Sequence, residues 1–176
     1  LASLAMATAL GIVDALHEYG IKAQTKWPND VLVGDAKIAG ILCELRPGSA
    51  VIGIGLNVSM SAAEAARIDQ PATSILIETG TVQAPREVLP ILLQVLSRRL
   101  QAWQEGGFAG LRSDWCRHCL ALGQDITIDD GDTRQTGVLA GFGDAGQLLL
   151  QPHDLAQDGS STPVEIWSGH LRLTNR

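Results

Sequence analysis

Two lysines, an amide and a carboxylate lie within twelve residues near the start of the chain. They are Lys26, Asn29 and Asp30 in the stretch Lys-Trp-Pro-Asn-Asp, and Lys37 at the start of Lys-Ile-Ala-Gly. Ammonium groups beside an amide and a carboxylate are what a site handling a carboxylate and a nucleotide phosphate needs. Because Asn-Asp is also ordinary turn chemistry, a solvated turn is the alternative interpretation of the same residues.

Strands are predicted on both sides of the Trp27–Pro28 corner, because proline fixes its own backbone and biases the preceding residue to an extended conformation. The predicted segments are a strand over 21–27, a β-hairpin over 31–45 that turns at Gly34-Asp35, and a strand over 51–58. Gly53 and Gly55 fall on one face of the last strand. Bare glycines on a strand face indicate close approach of another group, either a ligand or a tightly packed helix.

The remaining chain divides into a helical part and a part rich in short strands. Helices are predicted over 2–19, 61–67, 85–104 and 108–119, with a loop over 71–75. Ser61 and Glu64 have capping-box spacing. From Leu122, short strands alternate with Gly/Asp turns such as 157–161, which predicts a small β barrel. We therefore expect two domains, 1–121 and 122–176.

Composition excludes several classes of protein. The 176 residues are 45% hydrophobic and 18% charged, which is typical of a folded chain with one core, or one core plus a small module. A net charge of -6 argues against broad nucleic-acid binding, so DNA is not an expected partner of this segment. The apolar runs are too short for a membrane span and the first segment lacks a basic leader, so we expect a cytoplasmic protein with no membrane partner.

The stretch Cys116-Arg117-His118-Cys119 has the spacing of half a metal site. No second close pair of Cys or His follows it, and a redox pair would normally stand at a helix N-terminus. Structural or incidental thiols are therefore favoured over a zinc or redox site, and we predict no metal-binding residues.

The order KWPNDVLVGDAKIAGILCEL, followed by GIGLNV, closely resembles the central part of the catalytic domain of biotin protein ligases. The resemblance covers most of residues 1–58, is most specific in 26–57 and resumes more weakly from about 122. It implies an α/β (α+β) fold of the class II aminoacyl-tRNA synthetase/biotin synthetase-like type, followed by a small SH3-like β-barrel. Residues 164–173 resemble the closing strands of that barrel.

The resemblance also implies an activity, that of a biotin–[acetyl-CoA-carboxylase] ligase. Such an enzyme joins biotin and ATP, with Mg²⁺, into biotinyl-5′-AMP, and then passes the biotinyl group to a lysine of a biotin carboxyl carrier protein or carboxylase biotin domain. A lipoate ligase-like adenylating transferase and a noncatalytic biotin-binding remnant are the alternatives. A homodimer is compatible with the sequence.

Residue roles follow from the same resemblance. Lys37 corresponds to the family lysine beside the biotin carboxylate and the adenylate phosphate, and Lys26 supplements it. Asp30 holds or deprotonates the accepting lysine, contributes to metal binding, or has a purely structural role. The other implied binding residues are Asn29 and Asn57 for ATP or its metal, Gly53 and Gly55 as bare backbone against biotin, Ile41 and Leu42 as its apolar wall, and Trp27 as a packing wall with adenine stacking as the alternative.

Family members carry a Gly/Arg-rich loop of GRGRxGR type before the helix that opens this chain. The sequence starts at Leu1, at the beginning of that helix. We therefore expect a fragment that lacks the N-terminal part of the catalytic domain. If the 176 residues were the entire polypeptide, weak or no adenylation and an unprotected sheet edge would be expected.

Overall fold

A computed structural model describes residues 2–153 and 162–174 of the chain. The helices are α1 Ala2–His17, α2 Ala62–Ala65, α3 Ile75–Thr79, α4 Pro85–Gly106 and α5 Arg112–His118. The strands are β1 Gln24–Lys26, β2 Asp30–Val33, β3 Ala36–Arg46, β4 Ser49–Leu56, β5 Asp125–Asp129, β6 Arg134–Phe142, β7 Leu148–Pro152, β8 Val164–Ile166 and β9 His170–Leu173. The turn expected at 157–161 lies outside the described residues.

The first four strands form an antiparallel sheet in the order β1-β2-β3-β4. The predicted hairpin is confirmed: β2 pairs with β3, and Gly34 adopts a φ of 57° at the turn, a left-handed conformation that glycine takes without steric cost. The register between β2 and β3 shifts between Val31 and Leu32. This irregularity affects which side chains of β3 share a face.

Helix α1 lies at the centre of the fold, where it packs on the first sheet and crosses α4. Most of its residues are buried. The helices approach so closely that a Cβ added at Gly11 would lie 2.7 Å from Leu96 Cδ2 and 3.3 Å from Leu96 Cα. Within residues 2–153 and 162–174, neither α1 nor any other helix is long and apolar enough to cross a bilayer.

An arginine connects three helices. Arg99 of α4 donates to both carboxylate oxygens of Asp14 on α1, at 2.7 and 3.0 Å, and to Asp114 of α5 at 2.6 Å. The hydrogen bond from Arg99 is the main cause that lowers the pKa of Asp114 below its ordinary value. These charge-assisted hydrogen bonds hold α1, α4 and α5 together near the C-terminal end of α1.

The segment 57–80 differs partly from the prediction. The capping box is confirmed, since the Ser61 hydroxyl accepts from the Glu64 N–H and Glu64 accepts from the Ser61 N–H. The loop expected over 71–75 ends one residue earlier and leads into α3, which was not predicted, with Ser74 as its N-cap accepting from the Ile77 N–H at 3.1 Å. A helix of five residues is too short to show a clear apolar period, so the pattern did not reveal it.

The C-terminal strands form a second antiparallel sheet, in the order β8-β7-β6-β5-β9. Among the described residues β8 and β9 stand at opposite edges, so the barrel predicted from the turn spacing is not closed there. One apolar cluster runs from α1 and the first sheet into the second, including Trp115, which meets Phe142 edge to face with ring centroids 5.8 Å apart. The two sheets therefore share one core.

Candidate functional site

The register of the first sheet places four of the residues of interest in one row across the strands. Lys26 lies opposite Asp30, Asp30 opposite Gly40, and Gly40 opposite Gly55. Directly opposed residues of antiparallel strands point to the same face. Strand pairing thus brings two charged side chains and two bare backbone positions onto one surface, which we call the open face.

Lys37 reaches over this row. Its Nζ lies 2.5 Å from Asp30 Oδ1, and the two side chains are 32% and 24% exposed. A Cβ added at Gly40 would lie 3.0 Å from Lys37 Cε and 3.1 Å from Nζ. The lysine therefore crosses Gly40 to meet the carboxylate, and the crossing depends on the missing side chain.

Gly53 and Gly55 leave the neighbouring part of the open face bare. Gly53 lies opposite Leu42 in the register, and Leu42 is 65% exposed. A Cβ added at Gly53 would meet nothing closer than the Leu42 carbonyl at 3.5 Å, and one at Gly55 nothing closer than the Gly40 carbonyl at 3.9 Å. Among the described residues, no helix atom comes within 4 Å of these Cβ positions, which favours a ligand over the predicted alternative of tight helix packing.

Two cavities meet at Lys37, and both are lined by Lys37, Gly40 and Gly55. The first, of about 480 Å³, extends along the open face, and its lining is completed by Asn29, Asp30, Ile41, Leu42, Gly53 and Ile54. The second, of about 180 Å³, extends toward the loop before α3, and its lining is completed by Ala39, Asn57, Ile68, Gln70 and Ala72. Lys37 is thus shared by both cavities.

The backbone of Lys37 is fixed by the segment that follows β4. The Lys37 N–H donates to the Pro71 carbonyl at 2.9 Å, and the Lys37 carbonyl accepts from the Thr73 N–H at 3.0 Å. Asn57 joins the same network, because its Nδ2 donates to the Thr73 carbonyl at 3.0 Å and to the Lys37 carbonyl at 3.4 Å. The predicted nucleotide-contacting residue Asn57 therefore also anchors the lysine.

Asn29 connects the Pro28 corner to β3. The side-chain Nδ2 of Asn29 donates to the Ile41 carbonyl at 2.7 Å, and the backbone carbonyl of Asn29 accepts from the Ile41 N–H at 2.9 Å. This contact uses one of the two side-chain N–H donors, and the amide oxygen is the group that Asn29 can offer to a cation.

Two predicted binding residues do not present their side chains to the open face. Trp27 is 1% exposed, lines neither cavity described above and donates from Nε1 to the Gly146 carbonyl at 3.1 Å. This burial is compatible with the predicted packing role of Trp27, whereas the alternative of an adenine-stacking surface does not fit it. Ile41 is 3% exposed and belongs to the core, because it alternates with Leu42 along β3, so only its backbone reaches the cavity.

Other lining residues were not predicted. Gly40 ends the stretch Lys-Ile-Ala-Gly that begins at Lys37. Because a glycine in the middle of a strand indicates close approach of another group, its place in the site could have been predicted. Ile68, Gln70 and Ala72 gave no signal, because they come to Lys37 only through the path of the loop before α3. The isolated bridge between Lys37 and Ala72 fixes that path.

The CxxC cysteines line neither of the two cavities. Burial raises the pKa of Cys119 to about 11, and burial also raises the pKa of Cys116. Thiols in such surroundings are weak nucleophiles and weak metal ligands at neutral pH. In the part of the chain that the structure describes, no three His, Cys, Asp or Glu side chains group as metal ligands would.

This arrangement can bring two anions together. A primary ammonium has three donors, so Lys37 can contact Asp30 and still donate to a carboxylate on one side and a phosphate on the other. Its charge offsets their mutual repulsion, and the exposed Leu42 side chain beside bare glycine backbone offers an apolar surface to the acid. The geometry suits the joining of a carboxylate to a phosphate.

Known proteins with similar sequences and structures fit this chemistry. The model of the Biotin/lipoate A/B protein ligase family matches residues 1–61. The chain is 32% identical over 160 residues to the biotin–[acetyl-CoA-carboxylase] ligase of Paracoccus denitrificans, a match that covers 85% of this chain and 67% of that protein. It is 30% identical to the bifunctional ligase/repressor of Escherichia coli, of which it spans 52%.

Solved structures give the same result. The apo biotin protein ligase of Aquifex aeolicus superimposes with a TM-score of 0.86 at 29% identity, over 99% of this chain and 76% of that one. The complex of this ligase with biotin and ATP superimposes with a TM-score of 0.81, over 99% of this chain and 72% of that one. The chain thus spans about half to three quarters of the relatives it resembles.

Proposed function

The chain belongs to the biotin protein ligase family, and on that premise we propose that it activates biotin with ATP and passes the biotinyl group to a lysine of a carboxylase carrier domain. One observation carries the proposal: Lys37 lies where the two cavities meet, above a floor of bare glycine. A ligand acid in one cavity and a nucleotide in the other would place their reacting groups at the same ammonium.

We assign the larger cavity to biotin and the smaller to the nucleotide. The larger has the apolar Leu42 side chain and the exposed backbone of Gly53, which suit a flat ring and an aliphatic chain. The smaller has the amides of Asn57 and Gln70, which suit a polar nucleoside. The acid would enter with its carboxylate toward Lys37.

In the first step a carboxylate oxygen attacks the α-phosphorus of ATP. A carbon-bound oxygen gains a bond to phosphorus, the bond from phosphorus to the pyrophosphate oxygen breaks, and pyrophosphate leaves. Lys37 stabilises the charge that develops on the phosphate oxygens. Holding the reactants side by side contributes of order ~7–11 kcal/mol in well-oriented cases. Lys26, which points to the same face from β1, adds positive charge.

In the second step the amine of an acceptor lysine attacks the acyl carbon of biotinyl-5′-AMP. The carbon–nitrogen bond forms, the carbon–oxygen bond to AMP breaks, and the amine loses a proton. Asp30, the carboxylate in contact with Lys37, accepts that proton, or holds the incoming ammonium before it is deprotonated. Its present contact with Lys37 keeps it oriented toward the reacting groups.

Mg²⁺ fits this surface as an ion held mainly by the nucleotide. Mg²⁺ at ATP sites is commonly bound through one or two carboxylates and the substrate phosphates. Among the described residues that line the larger cavity, the side-chain oxygen donors are Asp30 and the amide oxygen of Asn29, too few for a dedicated cage. When bound, the ion would offset phosphate charge, and Lys37 would contact the reacting carboxylate and the α-phosphate.

The finer parts of the fold assignment belong to the same proposal. From the family we propose the class II synthetase-like type for the first unit and the SH3-like type for the second, and the boundary between 121 and 122 stays a prediction from the sequence pattern. The open order of the C-terminal sheet supports a small β module. A homodimer and a cytoplasmic location stay predictions from the sequence.

The test is pyrophosphate release by the complete protein that carries this sequence, with biotin and ATP. We expect release that requires both, and titration calorimetry that detects biotin but no comparable binding of lipoate. Preference for lipoate would overturn the substrate assignment in favour of a lipoate ligase-like transferase. Biotin binding without pyrophosphate release would favour a noncatalytic remnant.

A further inference from the structure

A hydrogen bond joins the Pro28 corner to a turn of the second sheet. The turn 143–147, between β6 and β7, places the Gly146 carbonyl 3.1 Å from the Nε1 of Trp27. The bond joins residues 119 positions apart, and both partners are buried. Because water does not reach either group, losing the donor would leave a buried carbonyl without this partner.

The turn 143–147 is rigid enough to act as a support. The Gly143 N–H donates to the Gln147 carbonyl at 2.9 Å, and the Ala145 N–H donates to Gln147 Oε1 at 3.1 Å. Asp144 pairs with Arg112 of α5. Gly146 has a φ of 87°, and a Cβ there would lie 2.8 Å from Met6 Sδ, so the turn is seated directly on α1.

On its other side Trp27 is coupled to the open face. Pro28, the next residue, has a fixed φ, so little torsional freedom separates the indole from Asn29 and Asp30. Asn29 is bonded to Ile41 through both its backbone and its side chain, and Asp30 contacts Lys37. A shift of Trp27 would therefore be passed to the carboxylate that orients the lysine.

We propose that the turn 143–147 positions the reacting face through Trp27, which makes Trp27 a positioning residue for the reaction at Lys37 rather than a ligand-binding one. The inference rests on the proposed function for its effect on rate. Its structural part, that the turn holds the corner, does not depend on the identity of the substrates.

The experiment compares Trp27→Phe with Trp115→Phe in the complete protein. Both changes remove an indole from the shared core, but among the described residues the Trp115 Nε1 has no hydrogen-bond partner. Amide exchange reads the corner directly: the Ile41 N–H donates to the Asn29 carbonyl, and the Asn57 N–H, which donates to the Ile38 carbonyl, is an internal reference on the same face. We expect Trp27→Phe to speed exchange at Ile41 about tenfold relative to Asn57, and Trp115→Phe to leave that ratio unchanged.

Rates give the second measurement. At a temperature where circular dichroism shows both variants folded, we expect Trp27→Phe to lower the kcat of pyrophosphate release about tenfold, with little change in the KM of biotin. Gly146→Ala, which displaces the turn, should lower kcat in the parent protein and add little to Trp27→Phe.

An unchanged Ile41 exchange ratio, or additive effects of the two changes, overturns the inference. If the parent protein releases no pyrophosphate, the proposed function fails, while the exchange ratio still decides whether the turn holds the corner.

Discussion

Adding one methyl group at Gly40 is a sensitive test of how Lys37 is placed. The new Cβ of Gly40→Ala would lie 3.0 Å from Lys37 Cε and 3.1 Å from Nζ, with Asp30 Oδ1 at 3.6 Å. Comfortable contacts between such atoms are about 3.5–4.0 Å, so the end of the lysine must move by roughly 0.5 Å. The carboxylate, already at an ordinary contact distance, has no need to move.

The expected cost follows from the tolerance of reacting groups to displacement. A misplacement of about 1 Å can slow a reaction about 100-fold, so about 0.5 Å corresponds to roughly tenfold. Tenfold in rate is about 1.4 kcal/mol of lost transition-state stabilisation. Since the methyl group disturbs the lysine and not the Leu42 wall, we expect kcat to fall while the KM of biotin stays nearly constant.

The assay is pyrophosphate release under saturating biotin and ATP, with folding checked by circular dichroism. Gly106→Ala is the matched control, because a Cβ there meets no atom within 4 Å and the residue lies at the end of α4, away from both cavities. A folded Gly40→Ala protein with the parent kcat would refute the reasoning that bare backbone at Gly40 places Lys37.

Three further predictions concern Lys37, the crossing of α1 and α4, and the ion pair of Arg99 with Asp114. Lys37→Ala should slow adenylate formation at least about tenfold, while Lys22→Ala, an exposed lysine outside the open face, should leave it unchanged; equal rates for both would remove Lys37 from the mechanism. Gly11→Ala should lower the free energy of unfolding by about 1–3 kcal/mol in urea titrations, since its Cβ meets Leu96 at 2.7 Å, and a loss no larger than that of Gly106→Ala would contradict the close helix crossing. Arg99 lowers the pKa of Asp114, so the stabilisation is present above the ordinary carboxyl value of 3.8 and is lost as pH falls through the lower folded value. Asp114→Asn should therefore lower Tm near about pH 6, with the difference from the parent shrinking below about pH 4; a difference that does not change with pH would argue against the ion pair.

Local chemistry in the sequence was enough to predict the elements that carry the site. Proline at 28, the Gly34-Asp35 turn and the capping box of Ser61 and Glu64 act over a few residues, and each has the predicted local effect. The short helix α3 and the open order of the C-terminal sheet differ from the prediction. A five-residue helix shows no clear period, and strand order depends on pairings that turn spacing does not specify.

The sequence by itself determined which chemical groups are available: two lysines, an aspartate, amides and glycines in a family-specific order. Tertiary structure alone decided which of them meet. In a regular strand Lys37 and Gly40, three positions apart, would point to opposite faces, but the register shift near Val31 lets the lysine cross the glycine. Likewise, the sequence left open whether Trp27 is a packing wall or an adenine-stacking surface, and tertiary packing turned its indole inward to a carbonyl 119 residues away. Side-chain type is a local property, but strand register and long-range contacts depend on how the whole core packs, so only the fold could assign these partners.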